Sequence, residues 1–176
     1  MSSILRKFFP ILDKIFPPLE IASSYLATLL LGELTTQQLE YGTLGIVTAS
    51  NVFSLIPIFS FLRTGRYGGA LITGCASIAS IFMHISETKH ELPGLWLAKY
   101  SNYFLNIDRF FAGIAGMYGL FLFYTNSNKT TSQVALPLVG SLTLFIGEHT
   151  TDLPLYTITH TIWHFIAYYS LALVNH

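Results

Sequence analysis

The sequence predicts an all-α membrane protein, a polytopic bundle of about six transmembrane helices with a short amphipathic segment ahead of it. Three observations carry this. Hydrophobic residues make up 52% of the 176 positions and charged residues only 10%, against about 25% charged in an ordinary soluble domain. Such a chain lacks the charge to cover a water-facing surface. Second, long apolar runs follow one another with only short polar breaks. Third, these runs are apolar on every face. A membrane barrel would alternate apolar and polar residues over about ten positions, and backbone groups in lipid must be satisfied within the segment, which leaves helices.

The elements are read in order. Residues 1–17 mix Arg6, Lys7, Asp13 and Lys14 with aromatic and aliphatic side chains. Pro10, Asp13 and Lys14 interrupt the apolar stretch that a secretory signal needs, so the segment is read as amphipathic and lying at the membrane surface. The remainder, residues 18–176, is read as one transmembrane domain. Its first run, Leu19 to Leu34, is the weakest, since it carries Glu20 and Glu33. Gly42 to Leu62 follows, closed by Arg63-Thr64-Gly65-Arg66, then Tyr67 to Ile85. A polar stretch, Ser86 to Asn102, separates these from Phe104 to Tyr124, Val134 to Gly147 and Leu153 to Val174. A helix of about 20 residues crosses the hydrocarbon core. Val134 to Gly147 falls short of that and is expected either to extend into its polar flanks or to sit where the bilayer thins.

Basic residues orient the bundle. Arg6, Lys7 and Lys14, then Arg63 and Arg66, then Lys129, all fall on one side if there are six helices. That side, with both termini, is expected to be cytoplasmic, so the sequon at Asn128 would stay unmodified. Zero net charge offers nothing for nucleic acid to recognise. Cys75, the only cysteine, excludes an internal disulfide and cysteine-type zinc sites; it is read as a small core residue.

A charged side chain at mid-membrane costs about 2.5–3.5 kcal/mol on insertion scales, so ionisable residues there are functional candidates. His160 and His164 lie four apart, on one face of the last helix. His84 lies near the end of the third, with Ser80 one turn before it. Asp108 lies in the first turn or so of the fourth. The topology brings all of these to one half of the bilayer. Neutral imidazole is a common zinc ligand, so His84, His160 and His164 are read as a metal site. Ser86 and His90 repeat the serine–histidine spacing but sit among Glu87, Lys89 and Glu91 and are read as a solvated loop. Glu148 and His149 are read as interfacial. The aromatic stripe Tyr103, Phe104, Phe110, Phe111 and Tyr118 is read as packing and anchoring.

Ser80-Ile-Phe-Met-His84, Ile107-Asp108-Arg109-Phe110-Phe111 and His160-Thr-Ile-Trp-His164 resemble, in this order, three motifs of the CREST superfamily. That superfamily gathers alkaline ceramidases, PAQR receptors, hemolysin III and Per1-like proteins, and the last motif is closest in flavour to its myomaker-like branch. The resemblance implies zinc held by His84, His160 and His164, with Ser80 and Asp108 around a metal-bound water. It also implies hydrolysis of a lipid amide or ester within the membrane, or a receptor-like or membrane-remodelling role with structural zinc. The chain departs from the family in helix count. One helix fits between Tyr124 and Leu153, where the family has three, and this puts the substrate chamber in question more than the metal.

Overall fold

The computed structural model describes residues 35–127 and 129–175. The N-terminal amphipathic segment, the weak run Leu19 to Leu34 and Asn128 of the sequon lie outside them. Among the described residues the chain is helical with no strand. We number the helices α1 (Thr36–Ala49), α2 (Leu55–Arg63), α3 (Tyr67–Ser86), α4 (Ser101–Thr125), α5 (Thr131–His149) and α6 (Leu153–Leu173). A 3₁₀ turn, Ser50–Ser54, joins α1 to α2 as one helical rod, Thr36–Arg63. That rod and α3 are long and apolar enough to span a membrane.

Local chemistry accounts for the ends. Thr35 opens α1 with a capping box, its hydroxyl accepting from Gln38 N–H while the Gln38 side chain accepts from Thr35 N–H. Thr130 and Gln133 repeat the device at α5, which lengthens the short apolar run to 19 residues as expected. Asp152 caps α6 by accepting from Leu155 N–H at 2.7 Å, with Pro154 in the first turn. Within the first rod, Pro57 has no N–H to offer the preceding turn. The chain tightens there into the 3₁₀ segment, which turns Ser50, Asn51 and Ser54 into the interior.

The rod Thr36–Arg63 packs against both α3 and α6. Helix α4 lies on α3, and α5 lies on α6. Glycines set the second pairing: a Cβ at Gly140 would come within 2.9 Å of Ile166, and one at Gly147 within 2.8 Å of the Thr159 hydroxyl. The α2–α3 turn and the ends of α4 and α6 meet at one end, where Asn175 donates to Ser60 at 2.8 Å and a cleft is lined by Arg66, Asn126 and Asn175. The polar ends of α3 and α5 meet at the other, where Lys89 pairs with Glu148.

The interior is inverted relative to a water-soluble protein. Buried polar side chains outnumber buried apolar ones among the described residues. Large apolar side chains such as Phe59, Leu71, Leu120, Tyr124, Leu138 and Phe145 stand outward. Thr73, Ser77, Ser80 and His84 form one buried stripe down α3. Polar groups meet across the interior: Ser54 donates to Ser77 of the stripe at 2.9 Å, and away from it Tyr168 donates to Asn51 Oδ1 at 2.8 Å, while Thr157, whose proton goes to the Leu153 carbonyl, bonds to the Thr43 hydroxyl at 2.9 Å. Hydrogen bonds of this kind average about 0.6 kcal/mol in membrane helices. They fix register between helices more than they supply stability.

The stretch after α3 departs from the solvated-loop reading. Ser86 and Glu87 are buried, and the His90 ring lies 4.5 Å from that of Tyr156. Leu95 and Trp96 N–H groups both bond to the Ile85 carbonyl, folding the loop back on the helix end. His90, Glu91 and Leu97 take left-handed backbone angles, each costing about 1–2 kcal/mol, which Leu92 helps offset by burial against Leu44, Val47 and Tyr156. Cys75 is not a core residue either. It is half-buried in an apolar groove between α3 and α4 with Ile78, Phe82 and Phe111.

Candidate metal centre

His84 reaches the interior from the last turn of α3, where the stripe Thr73–Ser77–Ser80–His84 ends. His160 and His164 come from successive turns of α6. Ring centroids lie 4.7 Å apart for His84–His160, 5.2 Å for His84–His164 and 4.9 Å for His160–His164. One ligand nitrogen from each ring lies within 4.8 Å of the other two, so the three can hold a metal ion. All three residues are buried, His84 fully.

Hydrogen bonds decide which nitrogen of two rings faces inward. His84 Nδ1 lies 2.9 Å from Glu87 Oε2. With Glu87 an ionised carboxylate, which only accepts, and His84 a neutral imidazole, Nδ1 carries the proton and Nε2 the lone pair. That Nε2 is buried with no partner, and so is His160 Nδ1. The Ser50 hydroxyl is 2.6 Å from both the Val47 carbonyl and His164 Nδ1. A carbonyl cannot donate, so Ser50 gives its one proton to Val47 and accepts from His164 Nδ1–H. In the neutral ring His164 Nε2 is left with its lone pair, and Ser80 Oγ lies beside it at a long 3.4 Å. Buried nitrogens without partners cost about 1–3 kcal/mol each. Two of them within one group of three imidazoles fit a cation, and imidazole ligands suit zinc, copper, iron and nickel alike.

Ser80 is buried on α3 with its hydroxyl 3.4 Å from His164 Nε2. Asp108 is on α4, half-buried and within electrostatic reach of His84 and Glu87. It is not one of the grouped metal-binding side chains, and no hydrogen bond fixes it among the described residues. Glu148 and His149 stay outside the cluster: Glu148 pairs with Lys89, and His149 Nδ1 lies 2.8 Å from the Phe145 carbonyl.

Three residues of the centre escape the sequence reading. Glu87 was grouped with the loop but is buried, and both its oxygens accept from Tyr156 O–H at 2.8 Å. Tyr156 is fully buried. Ser50 is a polar residue inside an apolar run. Spacing holds a signal for two of them, since Glu87 lies one turn after His84 and Tyr156 one turn before His160. Ser50 had none, because its direction depends on the 3₁₀ turn.

No family model, no curated protein and no solved structure matches this chain.

Proposed function

We propose that this chain is a multi-pass membrane protein of the CREST type and a zinc-dependent hydrolase of lipid amide or ester bonds. The observation that carries the reading is the convergence of three buried imidazoles from two helices, with His84 Nε2 and His160 Nδ1 unpartnered. The outward apolar side chains and the buried polar interior favour lipid as the surrounding solvent. In this orientation Arg63, Arg66 and Lys129 face the cytoplasm and the histidines sit toward the opposite leaflet.

Zinc held by three histidines with an open position supplies a water acidic enough to attack a carbonyl near neutral pH. The chain's own groups do the rest. His84, His160 and His164 would hold the ion. Ser80, whose hydroxyl is beside His164 Nε2, donates a hydrogen bond to the carbonyl oxygen as it gains charge. Asp108, on the neighbouring helix, takes a proton and returns it to the leaving group.

A second reading has its own observation. Helix α3 packs mainly on α4 and on the first rod, α6 on α5 and that rod, so an ion shared by His84, His160 and His164 would clip together two helices that otherwise touch little. One experiment separates the readings. Wild type and His160→Ala are purified in detergent, analysed for metal and incubated with a panel of ceramides and acyl esters. The hydrolase reading expects about one zinc per wild-type chain, lipid turnover, and a loss of more than about a hundredfold in the variant with its helical content intact. Full turnover by metal-free protein would sink it. Stoichiometric zinc, with a lower melting temperature on its removal and no lipid consumed, would leave the structural clip.

A further inference from the structure

We infer that Glu87 is the positioning residue of this centre: it fixes His84 as a ligand and supplies the buried negative charge that balances the metal's positive one. The inference rests on the metal reading above and goes beyond it in assigning a residue outside the ligand set.

Glu87 is only 3% exposed, just past the end of α3. Elementary electrostatics makes this a poor place for a carboxylate. Burying an unpaired charge costs several kcal/mol, and the end of a helix presents carbonyls carrying partial negative charge. Ordinary compensation is missing. Among the described residues no lysine or arginine forms an ion pair with Glu87, and the nearby Lys89 is engaged by Glu148 instead. Its partners are two donors, His84 Nδ1–H at 2.9 Å and Tyr156 O–H at 2.8 Å. Hydrogen bonds to neutral donors soften the penalty but leave the charge in place.

The geometry points to where the missing positive charge belongs. The proton of His84 Nδ1 goes to Glu87, and the opposite nitrogen of the same ring is the buried, unpartnered Nε2. A dication held by His84 would polarise the ring toward the carboxylate, and the carboxylate would make Nε2 a better donor of its lone pair. Outer partners of this kind fix the tautomer and ring orientation of a ligating histidine. Tyr156 holds the carboxylate in turn, and its ring is wedged between those of His90 and His160 at 4.5 and 5.2 Å. Ligand, carboxylate and phenol thus form one chain leading outward from the metal position.

The test uses the full chain in detergent micelles, with Zn²⁺ affinity read by competition against a chromogenic chelator and Co²⁺ as a spectroscopic probe. Glu87→Gln keeps shape and an acceptor while removing charge. It should bind Zn²⁺ about 10–100-fold more weakly and shift the visible bands of bound Co²⁺. Glu87→Asp, which keeps the charge on a shorter arm, should fall between wild type and Glu87→Gln. Metal-stripped Glu87→Gln should melt no lower than metal-stripped wild type, because a stranded charge has been removed; a residue that only held the fold together would show the opposite. Wild-type affinity in both variants, or a melting temperature lowered equally with and without metal, would overturn the inference alone. A wild-type chain that takes up no stoichiometric Zn²⁺ would overturn both this inference and the metal reading.

Discussion

Ser50 shows how much a single hydroxyl can decide at this centre. It has one proton, two neighbours at 2.6 Å, and only one of those neighbours can donate. The tautomer of His164 follows from that alone. Replacing Ser50 with alanine removes one acceptor of His164 Nδ1–H and leaves the ring the Val47 carbonyl, a loss of about 0.5–1.5 kcal/mol for one net hydrogen bond. Ser50→Ala should unfold at lower denaturant and bind Zn²⁺ about tenfold or more weakly, as chelator competition would read. Unchanged affinity would mean that His164 is held by something else. The ligand histidines themselves were legible from spacing, because two residues four apart on a helix must share a face. Glu87 was hidden by its company: Lys89, Glu91 and His90 are polar neighbours that solvent would explain equally well.

At the scale of the helix, α5 and α6 pair closely because two glycines on α5 leave room. Leucine at position 140 would collide with Ile166 and Trp163, and overpacking of this kind costs about 1–3 kcal/mol. Gly140→Leu should lower the melting temperature in detergent more than Gly116→Leu, since a Cβ at position 116 of α4 meets nothing within 4 Å. Equal effects would show that backbone flexibility rather than contact governs both. The five strong apolar runs correspond to the five helical rods of the described residues. The starts of α1, α5 and α6 follow from capping chemistry that is local and readable. The 3₁₀ turn before Pro57 was less so. Proline announces a disturbance, but the direction in which Ser50 and Asn51 then face depends on what packs beside them.

For the whole molecule, the decisive feature is the placing of polar groups within and apolar groups without. Cys75 offers a probe of this, being the sole cysteine and set in the apolar groove between α3 and α4. In reconstituted vesicles it should react with a lipid-soluble maleimide and resist a charged, membrane-impermeant one added to either side. Rapid labelling by the charged reagent would place that face of the bundle in water. The same placing of groups accounts for the buried stripe on α3, whose polar side chains find polar partners inside the bundle, and for the convergence of the histidines, which lie on the inward faces of α3 and α6.

Composition and periodicity by themselves determined the helical class, the rods and the histidine faces, because each is a property of residues near one another along the chain. The tertiary structure decided which nitrogen each of His84 and His164 presents, that Glu87 and Tyr156 stand behind His84, and that Ser50 stands behind His164. Those outcomes depend on a loop folding back over a helix end and on one rod turning at a proline. Contacts between distant segments are chosen by packing, and packing leaves no periodic trace in the sequence.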